Sequence, residues 1–339
     1  MVRIGIAGIG FMGVTHYKAA QQVKGAKVTA VFTRDPGKLA GDWTKVKGNF
    51  GDSGGVQDLS KLKRYDQLSA LITDPDIDLI DICLPTCLHC EVARKALKAG
   101  KHVLVEKPIA LNLRDAALMV RAAEQAKRHL MVAQVLRFFP EFAILKHALE
   151  SGRFGKLLGA HFKRIISKPN WSRDNWFSDM SKTGGAVVDL HIHDTDFILF
   201  LLGKPNRIFS AGMLVQGHVQ YLTTHYLYDN QNLSVTSESG CIAQAGLPFK
   251  HGYEVFFERA SFLYDSMYER PVLQLTSKGK RTMLKLKPRD AFVSEIQHAV
   301  DCIRKDLSSP IIPGESAAEA LRLCLLEAES VRKGRILKV

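Results

Sequence analysis

Gly8-Ile9-Gly10-Phe11-Met12-Gly13 follows a short run in which Val2, Ile4 and Ile6 alternate with Arg3, Gly5 and Ala7. That run predicts a strand, and the residues from Gly13 to Gln22 predict a helix. Glycines spaced GxGxxG at such a junction have separate tasks. Gly8 permits the tight turn, Gly10 lets backbone approach a pyrophosphate, and Gly13 lets helix and strand pack closely. The helix start adds N–H groups and the positive end of its dipole. Gly8, Ile9, Gly10, Phe11, Met12 and Gly13 therefore read as a dinucleotide cradle, with a merely glycine-rich turn as the alternative. Ile4 to Gly10 has neither a basic leader nor a small-residue cleavage site, so a first strand is expected there and not a signal peptide.

Strand and helix patterns alternate outward from this loop. Ala26 to Phe32, Ile77 to Leu84, Lys101 to Glu106 and Leu130 to Leu136 read as strands. Asp66 to Ile72, Glu91 to Ala99 (stopped by Gly100) and Leu113 to Lys127 read as helices. The rhythm predicts an α/β Rossmann domain: a parallel sheet with right-handed crossovers and helices on both faces. Val103-Leu104-Val105 suits a strand buried on both sides, and Glu106-Lys107-Pro108 ends it. Ligands of such sheets sit beyond the carboxyl ends of the strands, so Lys107 reads as an acid, a base or a polarising cation. The plainer alternative is a surface lysine at a strand end. A lysine aimed back over the strand requires an abrupt turn, for which a cis Lys107–Pro108 bond is expected.

Roughly twenty residues beyond the glycines, an acidic side chain ordinarily grips the ribose of NAD. Here the second strand ends in Thr33 and Arg34, followed by Asp35. A hydroxyl and a guanidinium would hold a 2′-phosphate that a carboxylate repels, which leans the cofactor from NAD toward NADP. Asp35 remains within reach of the ribose.

After Pro140 the pattern changes to short strands separated by turns. Asp229-Asn230-Gln231-Asn232 and Ser277-Lys278-Gly279-Lys280 are hairpin turns, and the alternation of Leu284-Lys285-Leu286-Lys287 reads as a strand with one wet face. Residues 156–287 are thus expected to form an antiparallel sheet. One helix interrupts them, from Asp189 to Leu202, ended by Gly203 and Pro205. On it Asp189, His193 and Asp196 fall on one face, so Asp189 can orient His193, whose ordinary pKa suits proton transfer near neutrality. The alternative is a hydrogen-bonded core histidine. His191 and His193 diverge by roughly 200° on a helix, which argues against a shared metal. Cys83, Cys87 and Cys90 have iron–sulfur spacing, but Cys83 lies in a strand and Pro85 and His89 interrupt the loop. No metal is read from the sequence. Helices from Ala291 to Lys305 and from Glu315 to Arg332 close the chain.

The 339 residues suffice for two domains, taken as 1–136 and 137–339, with the helix at about 315–332 expected to pack back on the first. The longest apolar run, Phe197 to Leu202, is too short to cross a bilayer. A net charge of +13 is spread along the chain without a basic block or nucleic-acid module, so neither nucleic acid nor membrane is expected as a partner. Six cysteines are too few for a disulfide scaffold and fit a reducing cytoplasmic setting.

The chain resembles the Gfo/Idh/MocA oxidoreductases, the family of glucose–fructose oxidoreductase and inositol dehydrogenases. The resemblance runs through the glycine loop, Leu84-Pro85-Thr86 with His89, Glu106-Lys107-Pro108, Gln134 to Pro140 with Arg137, and Gly184 to Asp196. It implies a Rossmann domain joined to an α+β domain with a large open antiparallel sheet used for homodimer or homotetramer contacts. It implies catalysis by Lys107, His193 and Asp189. It adds Leu84, Pro85, Thr86, His89, Glu106, Lys107 and Gln134 to the cofactor set of the glycine loop, Thr33 and Arg34. Arg137, Trp171 and Trp176 are expected to line a sugar or polyol pocket, the two tryptophans having core packing as their alternative. The implied reaction is hydride transfer between NAD(P) and a secondary alcohol. Two alternatives stand beside it: a non-catalytic dinucleotide sensor or scaffold, and redox-neutral elimination or glycoside cleavage on a bound cofactor.

Overall fold

A computed structural model describes residues 1–48, 53–167, 183–229, 232–268 and 272–339; Trp171 and Trp176 lie outside them. The chain divides into two compact units. The first joins the described residues of Met1–Val135 to Arg289–Ala318, and the second joins the described residues between 136 and 288 to Glu319–Val339. Arg289–Ala318 therefore falls outside the second domain expected from sequence. Within the first unit the helix Ala291–Lys305 packs on Phe11–Ala20. Its buried Ala291, Ile296, Ala299 and Val300 form an apolar face whose period shows in the sequence, although its partner does not.

The first unit is built on six parallel strands: β1 (Val2–Ala7), β2 (Ala26–Phe32), β3 (Lys63–Tyr65), β4 (Leu79–Ile82), β5 (His102–Glu106) and β6 (Leu130–Ala133). Their order is β3-β2-β1-β4-β5-β6, so the winding reverses between β1 and β4. Val103, Leu104 and Val105 are wholly buried, as their unbroken apolar run requires. Each such side chain contributes roughly 1.5–3 kcal/mol. In register, Ala7 faces Ile82, Ile82 faces Val105, and Val105 faces Val132. The next residues, Gly8, Cys83, Glu106 and Ala133, thus emerge at one level beside the reversal. β6 stops at Ala133, short of Leu136, because Val135–Phe138 tightens into a 3₁₀ turn before the helix Pro140–Glu150.

Nine strands form the second sheet among the described residues: β7 (Leu157–Ser167), β8 (Arg207–Val215), β9 (His218–Leu227), β10 (Ser234–Ala243), β11 (Lys250–Phe257), β12 (Ala260–Asp265), β13 (Val272–Thr276), β14 (Arg281–Met283) and β15 (Leu337–Lys338). They lie in the order β14-β13-β12-β11-β7-β10-β9-β8-β15. Every pair is antiparallel except β7 with β10, which run parallel at the centre. The expected turn at Ser277–Lys280 falls between β13 and β14, with Gly279 at φ +73°, while Asn230 and Gln231 of the other expected turn lie outside the described residues. Leu284 to Lys287 keeps its alternation, leucines inward and lysines out, but the strand ends at Met283. Phe142, Phe162, Phe197, Tyr253 and Phe262 anchor the core under this sheet, Phe142 meeting Phe197 edge-on at 5.1 Å.

The expected helix from Asp189 is two joined elements, a π-helical turn at Val187–His191 and an α-helix at Ile192–Leu202. Buried polar pairs hold it. Arg137 clamps Asp196 at 2.8 and 2.5 Å, and Arg164 clamps Asp194 at 2.9 Å twice. His191 Nδ1 lies 2.8 Å from Ser239 Oγ, and its Nε2 lies 3.2 Å from Glu327. Asp196 is therefore no third member of an exposed face, since the wide turn re-phases the residues before Ile192 against those after it. Burial raises the Asp196 pKa and the Arg137 guanidinium opposes that rise. Among the described residues no helix is long and apolar enough to cross a membrane.

Losing Arg137 would strand the Asp196 carboxylate in the core. Arg137→Ala should cost about 3–5 kcal/mol in a urea melt, and Arg137→Met with Asp196→Leu should recover much of it. Equal stability of Arg137→Ala and the native chain would contradict this role.

Candidate active site

The glycine loop meets its expected steric demands. Gly8 adopts φ +104°, and a Cβ there would stand 2.7 Å from the Cys83 carbonyl. A Cβ on Gly13 would lie 1.9 Å from the Gly8 carbonyl, so the helix start and the strand end are in backbone contact. Gly10 is different, with φ −93° and nothing within 4 Å of its Cβ position. No side chain caps Phe11–Ala20 at Gly10 and its first turn has no acid, leaving the dipole end for an anion. Such a cradle fits a pyrophosphate.

At the tip of β2, Thr33 is buried and its hydroxyl accepts the Asp35 N–H at 3.3 Å. Arg34 is exposed. Asp35 Oδ1 accepts the N–H groups of Gly37 and Lys38 and so caps the one-turn helix Pro36–Leu39. Lys38 is a residue the sequence pattern did not single out. Its ammonium donates to the Ile9 carbonyl at 2.7 Å, placing a cation against the glycine loop. The only local signal was a lysine shortly after a strand tip.

Beyond β4, Leu84 and Pro85 are half-buried and Thr86 is buried at the start of a 3₁₀ turn. His89, expected at the cofactor, is a brace: Nε2 lies 2.8 Å from the Leu84 carbonyl and Nδ1 lies 2.9 Å from the Pro108 carbonyl. Burial holds its pKa down, although both carbonyls favour the protonated ring. It ties the β4 exit to the turn after β5. There the Lys107–Pro108 bond is cis, Lys107 is half-buried, and its N–H donates to Glu106 Oε2 at 3.0 Å. Gln134, just past β6, is buried with its Nε2 amide lacking a protein partner. An orphaned buried donor costs roughly 1–3 kcal/mol, which fits a site completed by a ligand.

Asp189 and His193 belong to the second unit. From Val187 to Ile198 they are the two partly exposed residues, all others being buried. His191, two residues away, points into the core, as the helical divergence requires. Arg137, expected to touch substrate, is buried, with its guanidinium bonded to Asp196 and 4.8 Å from the Phe200 ring. The cysteines at 83, 87 and 90 are free thiols, Cys87 exposed and the others half-buried.

The family profile described as oxidoreductase, NAD-binding Rossmann fold, matches residues 2–134, and that of the GFO/IDH/MocA C-terminal domain matches residues 142–262. The chain belongs to the GFO/IDH/MocA oxidoreductase family. Myo-inositol 2-dehydrogenase of Thermotoga maritima is 26% identical to it over 351 residues, spanning 100% of this chain and 98% of that one. A 2,7-anhydro-N-acetylneuraminate hydratase of Escherichia coli is 28% identical over 204 residues, 60% of this chain and 50% of that one. The solved levoglucosan dehydrogenase, in complex with NADH and levoglucosan, superposes with a TM-score of 0.84 at 20% identity over 100% and 99% of the two chains, a likeness of fold.

The glycines separate fold from binding. Gly13→Ala should lower stability by about 1–3 kcal/mol, because its new methyl meets backbone. Gly10→Ala should melt like the native chain yet bind NAD(P)H at least tenfold more weakly in a fluorescence titration. The reverse pattern would show that Gly10 does not face a pyrophosphate.

Proposed function

We propose that this GFO/IDH/MocA chain is an NAD(P)-dependent dehydrogenase acting on a secondary alcohol, or the matching ketone, of a sugar, cyclitol or related polyol. The observation that carries the reading is the Asp189–His193 pair, turned outward from a helix whose neighbouring positions are all buried. A carboxylate and an imidazole at these two partly exposed positions suit acid–base work. The glycine loop, Thr33, the Leu84–Thr86 loop, Glu106 and Gln134 would hold the cofactor, which supplies the hydride acceptor or donor. His193 takes the hydroxyl proton, or returns it in the reverse direction. Asp189 orients His193 and holds a substrate hydroxyl, and Lys107 polarises the reacting oxygen.

For the ribose end the proposal is NADP. Asp35 turns its carboxylate to its own helix cap, while Arg34 and Lys38 supply cations near the β2 tip and the loop. Arg34→Ala should weaken NADP binding by roughly 1.5–3 kcal/mol and leave NAD almost unchanged in parallel titrations. Equal losses for both cofactors would sink the preference. Association of two or four copies through the second sheet is part of the same proposal. Leu158, Met213, Leu214, Val215 and Ile242 are each 43–45% exposed there.

Lys107→Met and His193→Ala should each slow polyol oxidation, followed at 340 nm, by about 10²–10⁴-fold, or roughly 3–5 kcal/mol of barrier. Cofactor titrations should shift little, because neither change touches the glycine loop. If both residues serve one proton transfer, the double variant loses much less than the product of the single losses. Retention of activity across the pH range in His193→Ala would assign the proton to Lys107 instead. The Escherichia coli hydratase relative favours a second reading, redox-neutral chemistry on a bound cofactor. Net release of reduced cofactor with a simple polyol separates the two.

A further inference from the structure

Beneath the strand ends of the first unit lies a charged cluster that the proposed reaction does not use. His16, three residues past Gly13, is wholly buried. Its Nδ1 lies 2.9 and 3.1 Å from the two carboxylate oxygens of Asp81 on β4. Its Nε2 lies 3.0 Å from Glu106 Oε1 at the end of β5, at ion-pair distance though without hydrogen-bond alignment. The helix Ala291–Lys305 adds Glu295, wholly buried with neither carboxylate oxygen hydrogen-bonded, and the Phe292 ring, 6.2 Å from the imidazole. The Cys83 thiol donates to Asp81 at 3.6 Å.

A neutral imidazole carries one N–H and one lone pair. With a carboxylate against each nitrogen, a neutral ring would aim its lone pair at an anion. The doubly protonated ring is the form that fits, and it supplies the one cation among three buried carboxyl groups. Burial alone would depress the His16 pKa, but Asp81, with help from Cys83, raises it well above its ordinary value. Burial raises the Glu295 pKa; His16 opposes that rise, while Glu106 and Asp81 reinforce it. By distance alone His16, Asp81 and Cys83 could surround a metal ion. Both ring nitrogens already face carboxylates, however, and burial beside Asp81 keeps the Cys83 thiol protonated, the wrong form for a ligand.

We propose that His16, as an imidazolium, is a positioning residue for the catalytic turn: it joins Asp81 to Glu106 and holds the Glu106 carboxylate where it receives the Lys107 N–H. This rests on the reading of Lys107 as a catalytic group. The tie explains why a histidine stands three residues past the last glycine, on the face of the first helix turned to the sheet. Without that cation, Asp81, Glu106 and Glu295 would compete for one apolar space. Asp81 and Glu106 would then be left without a counter-charge, and the acceptor of the Lys107 N–H would lose its anchor.

The test begins without substrate. Histidine ¹⁵N shifts of the full-length native chain should contain one ring protonated on both nitrogens up to at least pH 9. Glu295→Gln, which replaces a carboxylic acid by a neutral amide, should shift that signal and so identify it as His16. Hydrogen exchange should show the Lys107 amide at least tenfold less protected in His16→Gln, with β6 amides unchanged. A neutral His16 at pH 7, or unaltered Lys107 protection, overturns the proposal, and the native titration decides alone if His16→Gln does not fold. In turnover, His16→Gln should reduce kcat at least tenfold with KM and cofactor Kd within about threefold. Adding Glu106→Gln should lower the Lys107 amide protection little further than His16→Gln does alone, because the two act through one contact. Multiplicative losses would contradict that coupling. If the imidazolium and the exchange effect are present while Lys107→Met leaves turnover intact, the catalytic reading of Lys107 fails and the positioning role of His16 stands.

Discussion

Backbone contact at Gly13 is the constraint from which the first unit follows. Only a residue without Cβ allows the start of Phe11–Ala20 to lie against the Gly8 carbonyl, where a methyl would come to 1.9 Å. That approach seats the helix on the ends of β1 and β4. One turn further on, it brings His16 within reach of Asp81 and Glu106. The glycine that shapes the phosphate cradle thereby also sets the distance at which a buried cation meets the β5 exit. Cradle and lysine turn are two consequences of one close approach.

The second unit arranges its chemistry by similar means. Charges are expensive in a protein interior unless they are paired and hydrogen-bonded. Asp194 and Asp196 are paired with Arg164 and Arg137, and His191 faces Ser239 and Glu327. With those positions locked inward, the π-helical turn leaves Asp189 and His193 as the polar side chains that reach the surface between Val187 and Ile198. His89 does comparable work in the first unit, bridging the carbonyls of Leu84 and Pro108.

Much of this was legible as local pattern. The period of Val2 to Ala7, the GxGxxG spacing, the apolar run Val103 to Val105 and the hairpin turn at Gly279 each act over a few residues. Their structural consequences follow from sterics and side-chain alternation. Other features depended on partners distant in sequence. Arg137 stands beside a family motif, and its partner Asp196 is 59 positions away. Asp196 seemed to share a face with Asp189 until the wide turn changed the phase. Leu284 to Lys287 alternates like a strand; Leu284 still donates its N–H to the Val272 carbonyl at 2.8 Å, although the strand itself ends at Met283.

By itself the sequence determined the layered class of each half, the glycine loop, the abrupt end of β5 at Lys107–Pro108 and the presence of Asp189 and His193 on one helical segment. These are set by φ/ψ preference and by periodicity, which act locally. Only the tertiary structure decided which polar residues are spent on the core. It allotted Ala291–Lys305 to the first unit, set β7 parallel to β10, turned Asp35 into a cap and brought Lys38 to the Ile9 carbonyl. It also gathered His16, Asp81, Glu106 and Glu295 from two strands and two helices. The physical reason is desolvation: a charge must find its counter-charge or a proton once water is excluded, and which one lies near is fixed by packing.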